Sequence, residues 1–272
     1  DKNPNIENVY LPQVQTIENS FLAYNKTLKV IELPECREIG MGFLENNTNI
    51  KNVYLPQAQV IEDYFLRYNE AIEVIKLPEC RVIGRYFLEF NKNIKSIYLP
   101  QVEIIEGRFL TYNKALEVIE LPKCWKIKGR FLENNTNIKN IYLPQVEIIE
   151  EAFLRNNEAL ESIELPECRE IGNYFLEFNK NIKSIYLPKA EHLGFDFLRN
   201  NETLDIIELP NARRIYEGFL ESNKNIKNIY LPECLILPSN LETISQIQSA
   251  EKKDTNKNKC KKLTLNLLRK KI

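Results

Sequence analysis

The chain has one histidine, one methionine, one tryptophan and only eight glycines in 272 residues. A single histidine argues against a nucleophile–histidine–acid triad. It also argues against a metal site, because no Cys-x-x-Cys pair stands in for the missing imidazoles. With so few glycines there is no glycine-rich loop to cradle a phosphate. Carboxylates are plentiful, but they become acid–base catalysts only where they converge in a pocket. No apolar run approaches the roughly 18 residues needed to span a bilayer. The formal net charge is −1, so bulk charge calls for neither a nucleic-acid nor a membrane partner. Together these absences point to a chain that is not an enzyme and needs no cofactor.

What is present is a repeat. Leu-Pro occurs at Leu11 and every 22 residues thereafter to Leu231, without an insertion. Counting from each Leu, a small residue (Ala, Val or Cys) follows at +3, Ile at +6, Phe-Leu at +10 and +11, and Asn at +14. An apolar pair at +17 and +20 closes the unit. A fixed short period of this kind is the mark of a stacked architecture. A second period of 44 residues overlies the first, because alternate units end differently. A third appears in the stretches 86–100 and 174–188, which are identical. Such an array reads as recently duplicated.

Each unit can be read physically. In Ile50–Leu55, Val53 and Leu55 alternate with Asn52 and Tyr54, the period of a half-buried strand. Pro56 ends it, since proline cannot donate to a ladder. Ile61, Phe65 and Leu66 stand at i, i+4 and i+5, which predicts a short helical turn. One unit buries too few large side chains to offset its ordering entropy, at about 1.5–3 kcal/mol each. Ten or eleven stacked units share one continuous core.

The recurring Leu-x-x-Ile-x-Leu-Pro…Ile-x-x-x-Phe pattern resembles the BspA-like, or Treponema-type, leucine-rich repeats across residues 5–234. It departs from them in its unit length of 22 where about 23 is usual, in Phe-Leu where Ala-Phe is common, and in Asn where Cys is frequent. The resemblance implies a right-handed leucine-rich-repeat solenoid, with a parallel sheet on its concave face and short helical turns on the convex side. It also implies a secreted or cell-surface binding role, since relatives are often adhesins.

The expected organisation is a solenoid over residues 1–248 with a degenerate last coil, then a basic C-terminal tail or cap over 249–272. The chain opens inside a repeat, at Asn5–Pro12, and shows no signal peptide; a mature product, a trimmed chain and a protein without an N-terminal cap all remain open. Residues 251–272 hold nine Lys/Arg and two Asp/Glu. That composition reads as a solvated tail, with weak contact to an anionic surface as the other reading. It contains no aromatic residue, which disfavours single-stranded nucleic acid. Leu263–Leu268 is apolar again and could cover the open end of the sheet as a strand or helix.

Several columns of side chains follow from the period. The Asn column (Asn47, Asn69 and their equivalents) reads as a buried amide ladder rather than a ligand site. Four sites match the Asn-x-Ser/Thr glycosylation pattern, and two of them, Asn25 and Asn201, fall in that column and should be buried. Cys36, Cys80, Cys124 and Cys168 share one inward position two units apart, about 9.6 Å, too far for a disulfide. They should be free, buried thiols; Cys234 and Cys260 form one further conceivable pair. His192 and Trp125 read as ordinary surface residues.

The outward strand columns carry the functional reading. One alternates in charge (Lys51, Glu73, Lys95, Glu117, Lys139) and predicts a register-setting salt-bridge ladder. The other reads Tyr54, Lys76, Tyr98, Glu120, Tyr142, Glu164, Tyr186. Tyrosine pairs an apolar ring with a polar hydroxyl and is enriched at interfaces, so this row is the candidate binding face. The expected function is non-enzymatic protein binding through the concave face of a bacterial secreted or surface protein. The competing reading is an intracellular scaffold or host-directed effector.

Overall fold

The computed structural model describes residues 5–236 and two short strands, Ile247–Ser249 and Lys262–Leu265. Each coil contributes one three-residue strand and one two-residue strand. The three-residue strands are β1 (Asn8–Tyr10), β3 (Val30–Glu32), β5 (Asn52–Tyr54), β7 (Val74–Lys76), β9 (Ser96–Tyr98), β11 (Val118–Glu120), β13 (Asn140–Tyr142), β15 (Ser162–Glu164), β17 (Ser184–Tyr186), β19 (Ile206–Glu208) and β21 (Asn228–Tyr230). Their middle residue points in and the outer two point out, as alternation dictates. The ten two-residue strands run from β2 (Thr16–Ile17) to β20 (Arg214–Ile215) and form one parallel sheet in chain order. Every parallel pair is offset by 22 residues, as in Val53↔Ile75 and Ile61↔Ile83. The chain is therefore a parallel β-solenoid of about ten turns.

The sheet of three-residue strands is interrupted. It divides into β1-β3-β5-β7, β9-β11-β13, β15-β17 and a last group in which β21 follows β19. At the C-terminal end β21 pairs antiparallel with β23 (Lys262–Leu265), which pairs antiparallel with β22 (Ile247–Ser249). Most of the 249–272 segment, residues 237–246 of the expected degenerate last coil, and Cys260 lie outside the described residues.

Leu-Pro does more than end a strand. The N–H of the +3 residue donates to the carbonyl of the Leu, as from Cys36 to Leu33 (3.3 Å) and Ala58 to Leu55 (3.3 Å). Proline's fixed φ suits the second position of such a turn, so the same two residues stop the sheet and turn the chain.

The expected helical turns do not form; no α-helix occurs among the described residues. The segment from the residue before Phe to the residue before Asn alternates in handedness instead. Leu66 has φ 51°, between Tyr64 at 62° and Tyr68 at 58°. The equivalent leucines of all ten coils repeat it, with φ between 51° and 58°. The hydrogen bonds give the reason. Leu66 N–H donates back to Phe43 O (3.0 Å), while Tyr64 and Tyr68 N–H donate forward to Arg85 O and Glu89 O (both 2.9 Å). One isolated helical turn fixes many dihedrals for one bond. The stacked array offers each of these N–H groups a partner in a neighbouring coil. Left-handed backbone costs about 1–2 kcal/mol per non-glycine residue, which the burial of Phe and Leu at this position offsets.

The core is a set of one-residue-wide ladders. Phe43 through Phe219 are fully buried and stack with ring centroids 5.1–5.8 Å apart; Phe21, partly exposed at the first coil, lies 6.3 Å from Phe43. The asparagines form a second ladder. Asn113 Nδ2 donates to Leu88 O (2.9 Å), closing its own turn onto the preceding coil, and its Oδ1 accepts from Asn91 N–H (2.9 Å). Asn201 and Asn223 repeat that acceptor bond. In six other coils the Nδ2 bond is kept and the buried Oδ1 has no partner. Asn25 and Asn201 are buried, as expected of column members; Asn46 and Asn134 are half-buried.

Candidate functional site

Two outward columns with different electrostatics run beside the three-residue strands, one at the residue just before each strand and one at its last residue. In the first, Lys29 pairs Glu7 (2.8 Å), Lys51 pairs Glu73 (2.9 Å), Lys139 pairs Glu117 (2.9 Å), Lys183 pairs Glu161 (3.0 Å) and Lys227 pairs Asp205 (3.2 Å). The hydrogen bond from Lys139 and its charge hold the Glu117 carboxyl below the usual carboxylate range. This is the expected salt-bridge ladder; exposed pairs stabilise by only about 0–1 kcal/mol, so its effect is on register.

The second column is the tyrosine row. Tyr54, Tyr98, Tyr142 and Tyr186 are each more than half exposed. Strand pairing sets their neighbours: Tyr54↔Lys76, Tyr98↔Glu120, Glu120↔Tyr142 and Glu164↔Tyr186. The fold thus brings all seven residues into one line, aromatic and charged in turn. None of these seven side chains makes a hydrogen bond, ion pair or ring contact within the described structure. The row contrasts with the column beside it, whose charges are mostly spent on each other.

Shallow grooves open along the row, one of about 280 Å³ on the paired strands β3, β5 and β7 beside Tyr54 and Lys76, and two where strands do not pair. One of about 310 Å³ lies between β13 and β15 and includes Glu120, Tyr142 and Glu164. Another of about 330 Å³ lies between β17 and β19 and includes Tyr186 and Glu208. Ile141 and Ile185, inward-facing residues at these gaps, are only partly buried. Spacing alone gave no sign of the gaps.

A second aromatic surface on the turn side was not evident from the spacing. Tyr68, Phe90 and Tyr112 stack at 4.8 and 4.6 Å, and Tyr64 stacks on Tyr86 at 4.8 Å. Beneath them runs an ion ladder: Arg67 bridges Glu45 (3.8 Å) and Glu89 (2.7 Å), and Arg155 bridges Glu133 (3.4 Å) and Glu177 (2.7 Å). The Arg67 guanidinium also lies 4.6 Å from the Tyr68 ring centroid. Burial pushes the Glu45 and Glu177 carboxyls up against the pull of these arginines. The signal was present as the column Glu45, Arg67, Glu89, Thr111, Glu133, Arg155, Glu177. Its rings and charges are already satisfied by one another, so it reads as reinforcement of the turns.

A notch of about 240 Å³ on the same side exists where Gly107 and Gly129 leave two adjacent coils without side chains. Its charges are mixed: Arg85, Arg108, Lys128 and Arg130 face Glu106, Glu150 and Glu151, with Lys128 on Glu106 at 2.5 Å. His192 and Trp125 are exposed, in a two-residue strand and beside one.

Cys36, Cys80, Cys124 and Cys168 are free and fully buried. Each thiol faces the carbonyl two residues on, as from Cys124 to Lys126 O (3.4 Å). Burial pushes the Cys80, Cys124 and Cys168 thiols up to about 12, which makes them inert core residues. No grouping of His, Cys, Asp or Glu suited to a metal occurs among the described residues. No helix there is long and apolar enough to cross a membrane.

The model of the BspA type leucine rich repeat region matches residues 2–117 and 125–247, in six copies. No curated protein matches the chain. Among solved structures, a leucine-rich repeat protein from Bacteroides ovatus is similar at 15% identity over 89% of this chain and 85% of its own, with a TM-score of 0.40. With the 22-residue register observed in every coil and the family pattern matched over most of its length, the chain belongs to the BspA-type leucine-rich-repeat family.

Proposed function

We propose that the chain is a non-enzymatic protein-binding module, part of a bacterial secreted or cell-surface protein, and that its tyrosine row is the binding face. Leucine-rich-repeat chains generally serve as protein-interaction modules, and BspA-type repeats are commonly extracellular in bacteria; both support the reading. The observation that carries it is the state of the row. Tyr54, Tyr98, Tyr142 and Tyr186 stand more than half exposed on rigid strands, with no partner for ring or hydroxyl. Such rings lose little conformational entropy on binding, and interface energy concentrates in a few aromatic or Arg anchors. Lys76, Glu120 and Glu164 between them supply the charge that orients a partner. Residues 251–272 add a secondary, weak contact to anionic surfaces.

The test is a double substitution, Tyr98→Ser with Tyr142→Ser, assayed against any partner captured from host matrix or cell extracts. Loss of two anchors weakens binding about a hundredfold, with the far-ultraviolet spectrum unchanged. Unchanged affinity would move the site to the turn side or to the tail.

A further inference from the structure

We infer that the notch at Gly107 and Gly129 is an anion site, taking the carboxylate, sulfate or phosphate group of a ligand, and that it is separate from the tyrosine row. A hydrogen bond that recurs on the turn side shows which chemical group belongs there. Where a coil carries Asn or Asp eight residues after its repeat Leu, that side-chain oxygen accepts the N–H of the equivalent residue in the next coil. Asn19 Oδ1 accepts from Met41 N–H (2.9 Å), Asp63 Oδ1 from Arg85 N–H (2.7 Å) and Asn173 Oδ1 from Phe195 N–H (2.9 Å). Arg85, Gly107 and Gly129 hold this position in three consecutive coils and offer no oxygen. The N–H groups that an oxygen there would cap belong to Gly107, Gly129 and Glu151. None of the three has an acceptor among the described residues. All three residues line the notch of about 240 Å³. The cavity thus stands where the oxygens are missing, beside the donors that lack them.

The surrounding charge favours an anion. Arg85 has no ion pair among the described residues. Arg108 and Arg130 are held by the buried carboxylates of Glu89 (3.7 Å) and Glu133 (3.2 Å), each through Nη1. The other N–H groups of these two guanidiniums have no acceptor among the described residues. Of the carboxylates that line the notch, Glu106 is taken by Lys128 (2.5 Å) and Glu150 by Lys126 (3.3 Å). Glu151 is unpaired, and its Cγ lies 2.8 Å from where a Cβ on Gly129 would stand, so its side chain folds over that glycine. It is an exposed carboxylate that competes with an incoming anion and yields to it. Backbone N–H groups and guanidiniums that converge without an acceptor are the usual recognition of an oxyanion.

Amide chemical shifts of the isotope-labelled full chain test the site. The probes are sulfate, inorganic phosphate and acetate, each titrated against chloride at constant ionic strength, and their relative affinities distinguish a tetrahedral head group from a carboxylate. The Gly107, Gly129 and Glu151 amides shift together and saturate. The Gly172 and Gly194 N–H groups, already bonded to Ile149 O (2.7 Å) and Ile171 O (2.8 Å), do not move. Arg85→Gln weakens binding about tenfold, and Glu151→Gln tightens it. Gly107→Asn restores the missing oxygen. Gly107 has no positive φ, and a Cβ there meets only Gly129 O at 3.5 Å, so the variant folds. It caps Gly129 N–H, raises Tm and abolishes anion binding. Shifts that never saturate, or that persist unchanged in both Arg85→Gln and Gly107→Asn, mean an adventitious ion only and overturn the inference. Tyr98→Ser/Tyr142→Ser leaves the anion titration unchanged, so this site and the tyrosine row stand or fall separately.

Discussion

Arg67 Nε donates to Glu89 Oε2 across 2.7 Å, and Arg155 repeats the bond to Glu177 at the same distance 88 residues later. The Glu89 side chain is 1% exposed and also accepts from Thr111 Oγ1 at 2.8 Å. Arg67→Met leaves that carboxylate buried without its main partner. The expected loss is about 3 kcal/mol, the low end for breaking a buried pair, because Thr111 and the Arg108 guanidinium, 3.7 Å away, remain. Joining Glu89→Leu to Arg67→Met recovers most of it. Urea denaturation of the single and double variants measures both; equal stabilities for the single variant and the parent would show that the ladder contributes nothing.

The asparagine ladder predicts a larger effect where it is closed. Asn113 donates to Leu88 O and Thr111 O and accepts from Asn91 N–H. Asn113→Ala strands at least two of these buried backbone groups, at about 1–3 kcal/mol each. Asn47→Ala, whose Oδ1 has no partner to lose, should cost less. Thermal melts of the two variants side by side distinguish them.

The thiols predict a stability loss in alkali. Cys80, Cys124 and Cys168 lie near 9.0 in the unfolded chain and near 12 when folded. Folding therefore favours the protonated thiol. That contribution is fully present below pH 9 and is lost as pH rises toward 12. Replacing all three by Val, which already occupies the same buried column at Val102 and Val146, removes this part of the pH dependence. Stability curves of parent and variant over pH 8–11 should diverge. The parent thiols should also resist maleimide until the chain is unfolded.

The phenylalanine stack predicts position dependence. Phe131 is fully buried between Phe109 (5.6 Å) and Phe153 (5.3 Å). Phe131→Ala should cost about 3–5 kcal/mol and divide the unfolding transition in two, because each coil contacts only its neighbours. Phe21 is partly exposed and stacks on Phe43 alone at 6.3 Å, so Phe21→Ala should fray the first coil and leave the rest intact. Hydrogen exchange along the chain reads the difference.

The repeat, the strand positions and the inward columns were legible in the sequence because each is a local rule repeated. Strand alternation at Val53 and Leu55, the stop at Pro56 and the burial of Phe65 need only the residue and its period. The salt-bridge column was legible for the same reason: residues 22 apart become neighbours once strands stack in register. The helical turn assigned to Ile61, Phe65 and Leu66 was a local inference of the same kind, and it was wrong. Leu66 satisfies its N–H on Phe43 of the preceding coil, and the flanking Tyr64 and Tyr68 satisfy theirs on the next one, partners that no window of sequence contains.

By itself, then, the sequence determined that this chain is a stack of coils and which side chains line up along it. The tertiary structure alone decided which columns are already satisfied and which are open. Glu73 and Glu120 are both outward glutamates on coils of the same type, but Lys51 lies 2.9 Å from the first and no cation reaches the second. Tyr68 and Tyr98 differ likewise, one ring covered by Phe90 and the other bare. Whether a charge or a ring is spent depends on distances of a few ångströms between coils, and composition and period do not carry that information.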